Sequence, residues 1–167
     1  MDGSAESIRT ATLEDAEQIA EIYNHFVLTS TITFEEEPVA VAEMARRVAD
    51  IQSGSLPWLV ATHDRQVTGF AYANKWKTRA AYRFATEVTV YVRTGLGNSG
   101  IGSRLYVQLL AALKTGGTHA VIGGVALPNE ASLRLHRKFG FEQIAHFKEV
   151  GFKFNRWIDV TYWQLIL

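Results

Sequence analysis

The sequence predicts a mixed α/β domain, and two observations carry that expectation. Val88, Val90 and Val92 alternate with Thr89 and Tyr91, a strand pattern that runs into Gly95-Leu96-Gly97-Asn98-Ser99-Gly100-Ile101-Gly102. Ile101, Leu105, Leu109, Ala112 and Leu113 then recur at helical spacing. Strand-like and helix-like segments alternate along the rest of the chain in the order β-α-α-β-β-β-α-β-α-β-β. The 167 residues, 47% hydrophobic and 20% charged, are enough for one sizeable core.

Residues 1–6 are expected to be disordered and residues 7–167 to form a single domain. Ser7–Ala11 reads as the first strand. Thr12 and Asp15 have the spacing of a capping box, followed by the apolar stripe Ala16, Ile19, Ala20, Tyr23 and Phe26. Thr29–Pro38 is a polar, β-branched loop containing Phe34. A second helix is expected over Val39–Ile51, ended by Ser53-Gly54-Ser55. Trp58–Thr62 and Val67–Lys75 flank a polar turn and read as a hairpin. Phe84–Val92 is the next strand. The helix after the glycine loop runs to about Lys114, where Gly116-Gly117 stops it. His119–Val125 is a strand, Glu130–Phe139 a helix ended by Gly140, and Phe141–Val150 with Ile158–Leu167 a closing pair of strands.

Composition excludes several functions. Seventeen basic and seventeen acidic residues cancel, so there is no electrostatic footprint for nucleic acid. No apolar run is long enough for a membrane span and no secretory signal is visible, so a cytoplasmic protein without a membrane partner is the expectation. The absence of cysteine rules out a disulfide scaffold, a thiolate metal site and a cysteine nucleophile. The five histidines have no metal-ligand spacing, so no metal is expected.

The glycine loop is the strongest chemical signal. Amides at a helix N-terminus, cleared of side chains by glycine, form an anion site. A Walker loop needs Lys-Ser/Thr after its last glycine, and Ser103 alone follows Gly102. Gly95-x-Gly97-x-x-Gly100 matches a dinucleotide fingerprint by letter, but the next strand lacks the acidic residue expected roughly 20 positions on. An ordinary strand-to-helix turn stays open. So does the Gln/Arg-x-x-Gly-x-Gly loop of GCN5-related N-acetyltransferases, which Gly97–Gly102 matches in spacing but not at its first position.

A longer resemblance runs along nearly the whole chain. Ile22-Tyr23-Asn24-His25-Phe26, Ser30–Phe34, Pro57–Ala61, Gly69–Ala73, Trp76–Tyr82, Glu87–Val92, Leu127–Ser132, Leu135-His136, Val150–Lys153 and Trp157–Val160 all resemble the phosphinothricin acetyltransferases of that superfamily. The resemblance implies the GNAT fold: a largely antiparallel mixed sheet, splayed at the acetyl-CoA site and flanked by helices. It implies acetyl-CoA-dependent N-acetylation of the α-amino group of phosphinothricin, methionine sulfone or methionine sulfoximine, and a homodimer. Another amine substrate, or a non-catalytic acyl-CoA sensor, is the alternative.

Site residues follow from the same resemblance. Glu87 is implied as general base and His136 as second proton carrier or substrate orienter. Val90, Tyr91, Val92, Gly97, Asn98, Ser99, Gly100, Ile101, Gly102, Ser103, Asn129 and Ser132 are implied at the cofactor, although Asn129 and Ser132 suit helix capping equally well. Phe34, Lys77, Arg79, Tyr82, Thr89 and Tyr106 are implied at the substrate. With Gly97 and Asn98 where relatives carry Gln or Arg and a basic residue, cofactor grip is expected from backbone amides, helped by Arg93 or Arg104.

Overall fold

The computed structural model describes residues 6–167, so residues 1–5 of the segment expected to be disordered lie outside the described residues. Glu6 lies inside them, with its carboxylate on the Arg104 guanidinium. The strands are β1 (Ser7–Thr10), β2 (Trp58–His63), β3 (Gln66–Lys75), β4 (Ala85–Val92), β5 (Ala120–Ala126), β6 (Glu142–Lys153) and β7 (Arg156–Ile166). The helices are α1 (Ala16–Thr29), α2 (Val41–Ser53), α3 (Ile101–Thr115) and α4 (Glu130–Lys138). One sheet runs in the order β1-β2-β3-β4-β5-β7-β6, antiparallel except for the β4–β5 pair.

Hydrophobic patterning decides which face each helix covers. Ile19, Ile22, Met44, Val48 and Ile51 of α1 and α2 pack on Trp58, Val60 and Phe70. Leu105, Leu109 and Leu113 of α3, with Leu133 of α4, pack on the other face against Leu59, Ala71, Val88, Val121 and Trp163. No described helix is long and apolar enough to cross a membrane.

The element order is the expected one, and the boundaries that moved have local causes. Helix α2 begins at Val41 rather than Val39, because the Asn24 side chain takes both the N–H and the C=O of Val39 at 2.8 Å. Strands β6 and β7 run closer together than expected. Phe154 and Asn155 (φ 50° and 57°) close them as a two-residue hairpin. A phenylalanine in the left-handed region gives no turn signal, so the sequence reading stopped both strands early.

The central feature is where pairing ends. Strand β4 meets β5 only at Ala85↔Ala120, Thr86↔Val121 and Glu87↔Ile122. Yet β4 stays paired to β3 as far as Val92, and β5 to β7 as far as Ala126. From Val88 onward the sheet is split, and the β5-facing backbone of β4 has no strand to bond.

At the entry to α1, the expected capping pair is reinforced by a third residue. A 3-10 turn, Leu13–Asp15, precedes the helix. The buried Asp15 carboxylate accepts from the Thr12 N–H at 2.8 Å and from both Arg9 Nη atoms at 2.7 Å. Burial pushes the Asp15 pKa up, but the Arg9 and Thr12 hydrogen bonds more than reverse it, so it lies below the usual aspartate value. Asp15→Ala is therefore expected to destabilise the fold by roughly 2–3 kcal/mol, the range for lost hydrogen bonds to a charged group. A depressed carboxylate contributes above its unfolded pKa and loses that contribution as the pH falls through its folded value. The gap between wild type and variant in urea unfolding should thus be wider at about pH 7 than at about pH 3.

Candidate active site

The split between β4 and β5 opens a channel of about 680 Å³. Val88–Val92 form one wall, Gly124–Ala126 the other, the loop 93–100 and the first turn of α3 one end, and residues of α4 the rest. Every residue implied at the cofactor lines it, as do Thr89, Tyr106 and His136. The Tyr91 side chain, however, packs on Tyr23, Phe26 and Phe70, and its main chain pairs toward Phe70 of β3, so the β5-facing backbone groups on this wall are those of Val88, Val90 and Val92.

The glycine loop is shaped to leave amides free. Gly100 caps α3 in the left-handed region (φ 83°), which disfavours any side chain there. The first intrahelical bond runs from the Arg104 N–H to the Gly100 carbonyl at 3.0 Å, so the N–H groups of Ile101, Gly102 and Ser103 precede the ladder. A Cβ at Gly97 would meet nothing within 4 Å.

The two arginines expected to help stand at the loop, each already paired with a carboxylate. Arg93 donates to the Val67 carbonyl at 3.0 Å and to Glu21 at 2.9 Å. Arg104 pairs with Glu6 and donates to the Ser99 carbonyl at 3.3 Å. A further cation, Lys138, reaches the first turn of α3 from α4, its Nζ donating to Ser103 Oγ at 3.0 Å. Sequence reasoning missed it, because a basic residue in a last helical turn is ordinary dipole compensation.

Glu87 occupies the last paired row, between Asn74 and Ile122. It is half-buried, with Oε1 at 3.4 Å from the position of a Cβ on Gly124 and the Tyr162 ring close by. Burial raises its pKa, and the charge of Lys77 opposes that only in part. No hydrogen bond or ion pair engages this carboxylate among the described residues. Gly123-Gly124 inside a strand was the missed signal: strand glycines often mark a close approach.

His136 does not join Glu87. Successive residues of a strand face opposite sides. Gly123 packs on the His136 ring, whereas Gly124 packs beside Glu87. The imidazole is buried on the α3 side. Its Nδ1 lies 2.7 Å from the Ser132 carbonyl, which can only accept, so Nδ1 carries the proton and Nε2 accepts from the Tyr106 hydroxyl at 3.2 Å. Burial lowers the His136 pKa, with the Ser132 bond acting the other way, and keeps the ring neutral at pH 7. Asn129 caps α4, its Oδ1 accepting from the Ser132 N–H at 3.2 Å, whereas the Ser132 hydroxyl lies 3.3 Å from His136 Nδ1 and caps nothing; both residues face the channel.

The residues implied at the substrate are more scattered. Thr89 shares the face of Glu87. Tyr106 is fully buried. Lys77, Arg79 and Tyr82 lie exposed on the β3–β4 connection, and only Lys77 acts on Glu87 electrostatically. Phe34 rests against the Gly151 backbone. No group of three or more His, Asp or Glu side chains gathers as a metal site among the described residues.

A sheet split after a single parallel pair, with a glycine-capped helix pointing into the gap, is an acyltransferase framework. Residues 8–162 match the family model described as "Acetyltransferase (GNAT) domain", and the chain belongs to this family of acetyltransferases. It is 38% identical to a phosphinothricin N-acetyltransferase of Streptomyces coelicolor, covering 98% of each chain. It is 34% identical to an L-methionine sulfoximine/L-methionine sulfone acetyltransferase of Salmonella typhimurium, covering 96% of this chain and 94% of that one. Among solved structures, a phosphinothricin acetyltransferase from Sinorhizobium meliloti in complex with AcCoA superposes with a TM-score of 0.94 at 36% identity, covering 97% of this chain and 88% of that one.

The two strand glycines differ in what a methyl group would meet. At Gly123 a Cβ would overlap the His136 ring, with Cδ2 at 2.9 Å. At Gly124 it would make ordinary or slightly tight contacts, 3.3 Å to Tyr162 and 3.4 Å to Glu87. Gly123→Ala should therefore destabilise by about 1–3 kcal/mol, as overpacking does, and Gly124→Ala by clearly less. Urea unfolding of the two variants side by side checks the order.

Proposed function

We propose that the chain transfers the acetyl group of acetyl-CoA to the α-amino nitrogen of a small amino acid of the phosphinothricin, methionine sulfone and methionine sulfoximine class, with Glu87 as general base. The observation that carries this reading is a half-buried carboxylate, without a hydrogen-bond or ion-pair partner among the described residues, at the row where the sheet splits.

The channel suits such a donor. The unbonded amides of Ile101, Gly102 and Ser103 can accept a pyrophosphate, and the unpaired β4 edge can bond an amide-containing arm as a strand would. Bound acetyl-CoA supplies the activated acyl group. The chain's residues do the rest. An amino acid arrives as an ammonium, and Glu87 accepts its proton, its raised pKa bringing it nearer the working pH. The β5-facing N–H of Val90 meets the negative charge that develops on the carbonyl oxygen. The neutral Tyr106–His136 pair holds the α4-side wall with no net charge. Lys77, with Arg79 and Tyr82 on the same connection, is suited to the anionic groups of the acceptor.

Glu87→Gln should lower kcat at neutral pH by about 10²–10⁴-fold, the usual worth of a general base. In the wild type kcat/KM should rise with pH as the carboxylate loses its proton. That limb should vanish in the variant. A variant with wild-type kcat at neutral pH removes Glu87 from the mechanism.

Donor binding tests the loop. Lys138→Ala should weaken acetyl-CoA, and Gly97→Arg should tighten it into open space, each by on the order of 1 kcal/mol and less at high salt. Gly100→Val should weaken it strongly, because a β-branched residue disfavours φ near 83°. Calorimetric titration of acetyl-CoA into the three variants is the measurement. Undiminished binding by folded Gly100→Val excludes this loop as the pyrophosphate site.

A further inference from the structure

The connection between α1 and α2, residues 30–40, borders the channel: Ile32 lines it alongside Thr89 and Tyr91. Part of its anchoring comes from its own helices. Tyr23 Oη bonds Thr33 Oγ1 at 2.7 Å, Arg47 pairs with Glu35 at 2.7 Å, and Asn24 holds Val39. Three further contacts come from the far end of the chain: Arg156 of β7 donates to Thr31 Oγ1 at 3.4 Å, and two more come from β6 as it approaches the hairpin turn. Lys153 Nζ donates to the Thr33 carbonyl at 2.9 Å. Two residues earlier, Gly151 lies so close to Phe34 that a Cβ there would overlap the ring at Cζ and Cε2.

Both β6 contacts are unusual in kind. Lysine is almost never fully buried unless paired, yet Lys153 is 1% exposed and its recorded hydrogen bond goes to a neutral carbonyl. Burial lowers its pKa, although the charges of Glu36 and Glu35 act the other way. Phe34 in turn remains 44% exposed, so the Gly151 backbone is a principal surface against which its ring is set. A glycine inside a strand weakens it unless something approaches closely, and here the thing that approaches is Phe34.

We infer that Gly151 and Lys153 are positioning residues that set acceptor selectivity, holding Phe34 and Thr33 as the wall that measures the acceptor side chain. This rests on the amino-acid N-acetyltransferase reading proposed above and on the resemblance that implies Phe34 at the substrate, next in the loop to Ile32 and Thr33, the first of which lines the channel. The two contacts work as one clamp. Lys153 fixes the loop backbone, and the bare Gly151 backbone fixes the ring one residue further on. Neither residue lines the channel, so neither should affect the donor.

Two variants and two measurements test this. Lys153→Met removes the hydrogen bond and keeps the length of the side chain. Gly151→Ala fills the space under the ring. In both, the ratio of kcat/KM for methionine sulfone to that for alanine should fall by roughly tenfold, the scale on which a pocket discriminates side-chain length. The change should appear in the acceptor KM and leave the acetyl-CoA KM where it was. Amide hydrogen exchange of residues 30–38 should accelerate in both variants while exchange in α3 and β3 does not. An unchanged ratio in folded Lys153→Met, or equal shifts in both KM values, overturns the selectivity role. Unchanged exchange overturns the clamp itself. If the wild type acetylates no amino acid, the proposed acceptor class falls and the selectivity claim with it. The exchange measurement then still decides whether the clamp exists.

Discussion

Everything in the site depends on β4 and β5 remaining paired for three rows and no more. Backbone groups in a sheet centre must be bonded or solvated, so an interior split persists only if both strands are held by other partners. Here β3 holds β4 to its end and β7 holds β5, while α3 starts at the mouth. The split places Glu87 at its apex, the free amides of α3 at its rim and Gly124 on its far wall. Had pairing continued by two rows, the channel would be closed and Glu87 would be an ordinary strand glutamate.

What was legible in the sequence follows from the range of the forces involved. Helix stripes, glycine stops and the Thr12–Asp15 cap are local, and they appear where expected. The loop before α3 was also readable, because left-handed backbone at Gly100 leaves a compositional mark. Three features escaped. The Phe154–Asn155 turn uses a residue that turn rules do not favour. Lys138 looks like a helix-end cation until α4 is seen to bring it to Ser103. The separation of His136 from Glu87 depends on which way two adjacent glycines face, a matter of sheet register that only the pairing of β5 with β7 settles. The resemblance named candidate residues. It could not say which of them touch.

Buried polar groups in this chain divide into two kinds. Asp15 is satisfied by several donors and ties the start of α1 to β1, so its burial contributes to stability. Glu87 and Lys153 are left with few partners or none, an arrangement that opposes folding. Groups of the second kind are tolerated where the fold has stability to give up, and here Glu87 stands at the split while Lys153 holds the loop that borders the channel. Their placement also explains why the surrounding aromatics, Tyr162 and Phe34 among them, sit as shields rather than as core.

The commitment of Arg93 and Arg104 to Glu21 and Glu6 has a kinetic consequence. Paired cations project little field into solvent, and a chain with zero formal net charge adds none. Amide dipoles at a helix end act within about one turn, too short a reach to steer a polyanion from a distance. Capture of an anionic donor should therefore proceed at an ordinary, unsteered encounter rate with a shallow dependence on ionic strength. Discrimination among anions would then arise after contact, from the fit of the ligand's backbone-like arm to the open strand edge, and would appear in how long the ligand stays rather than in how quickly it arrives.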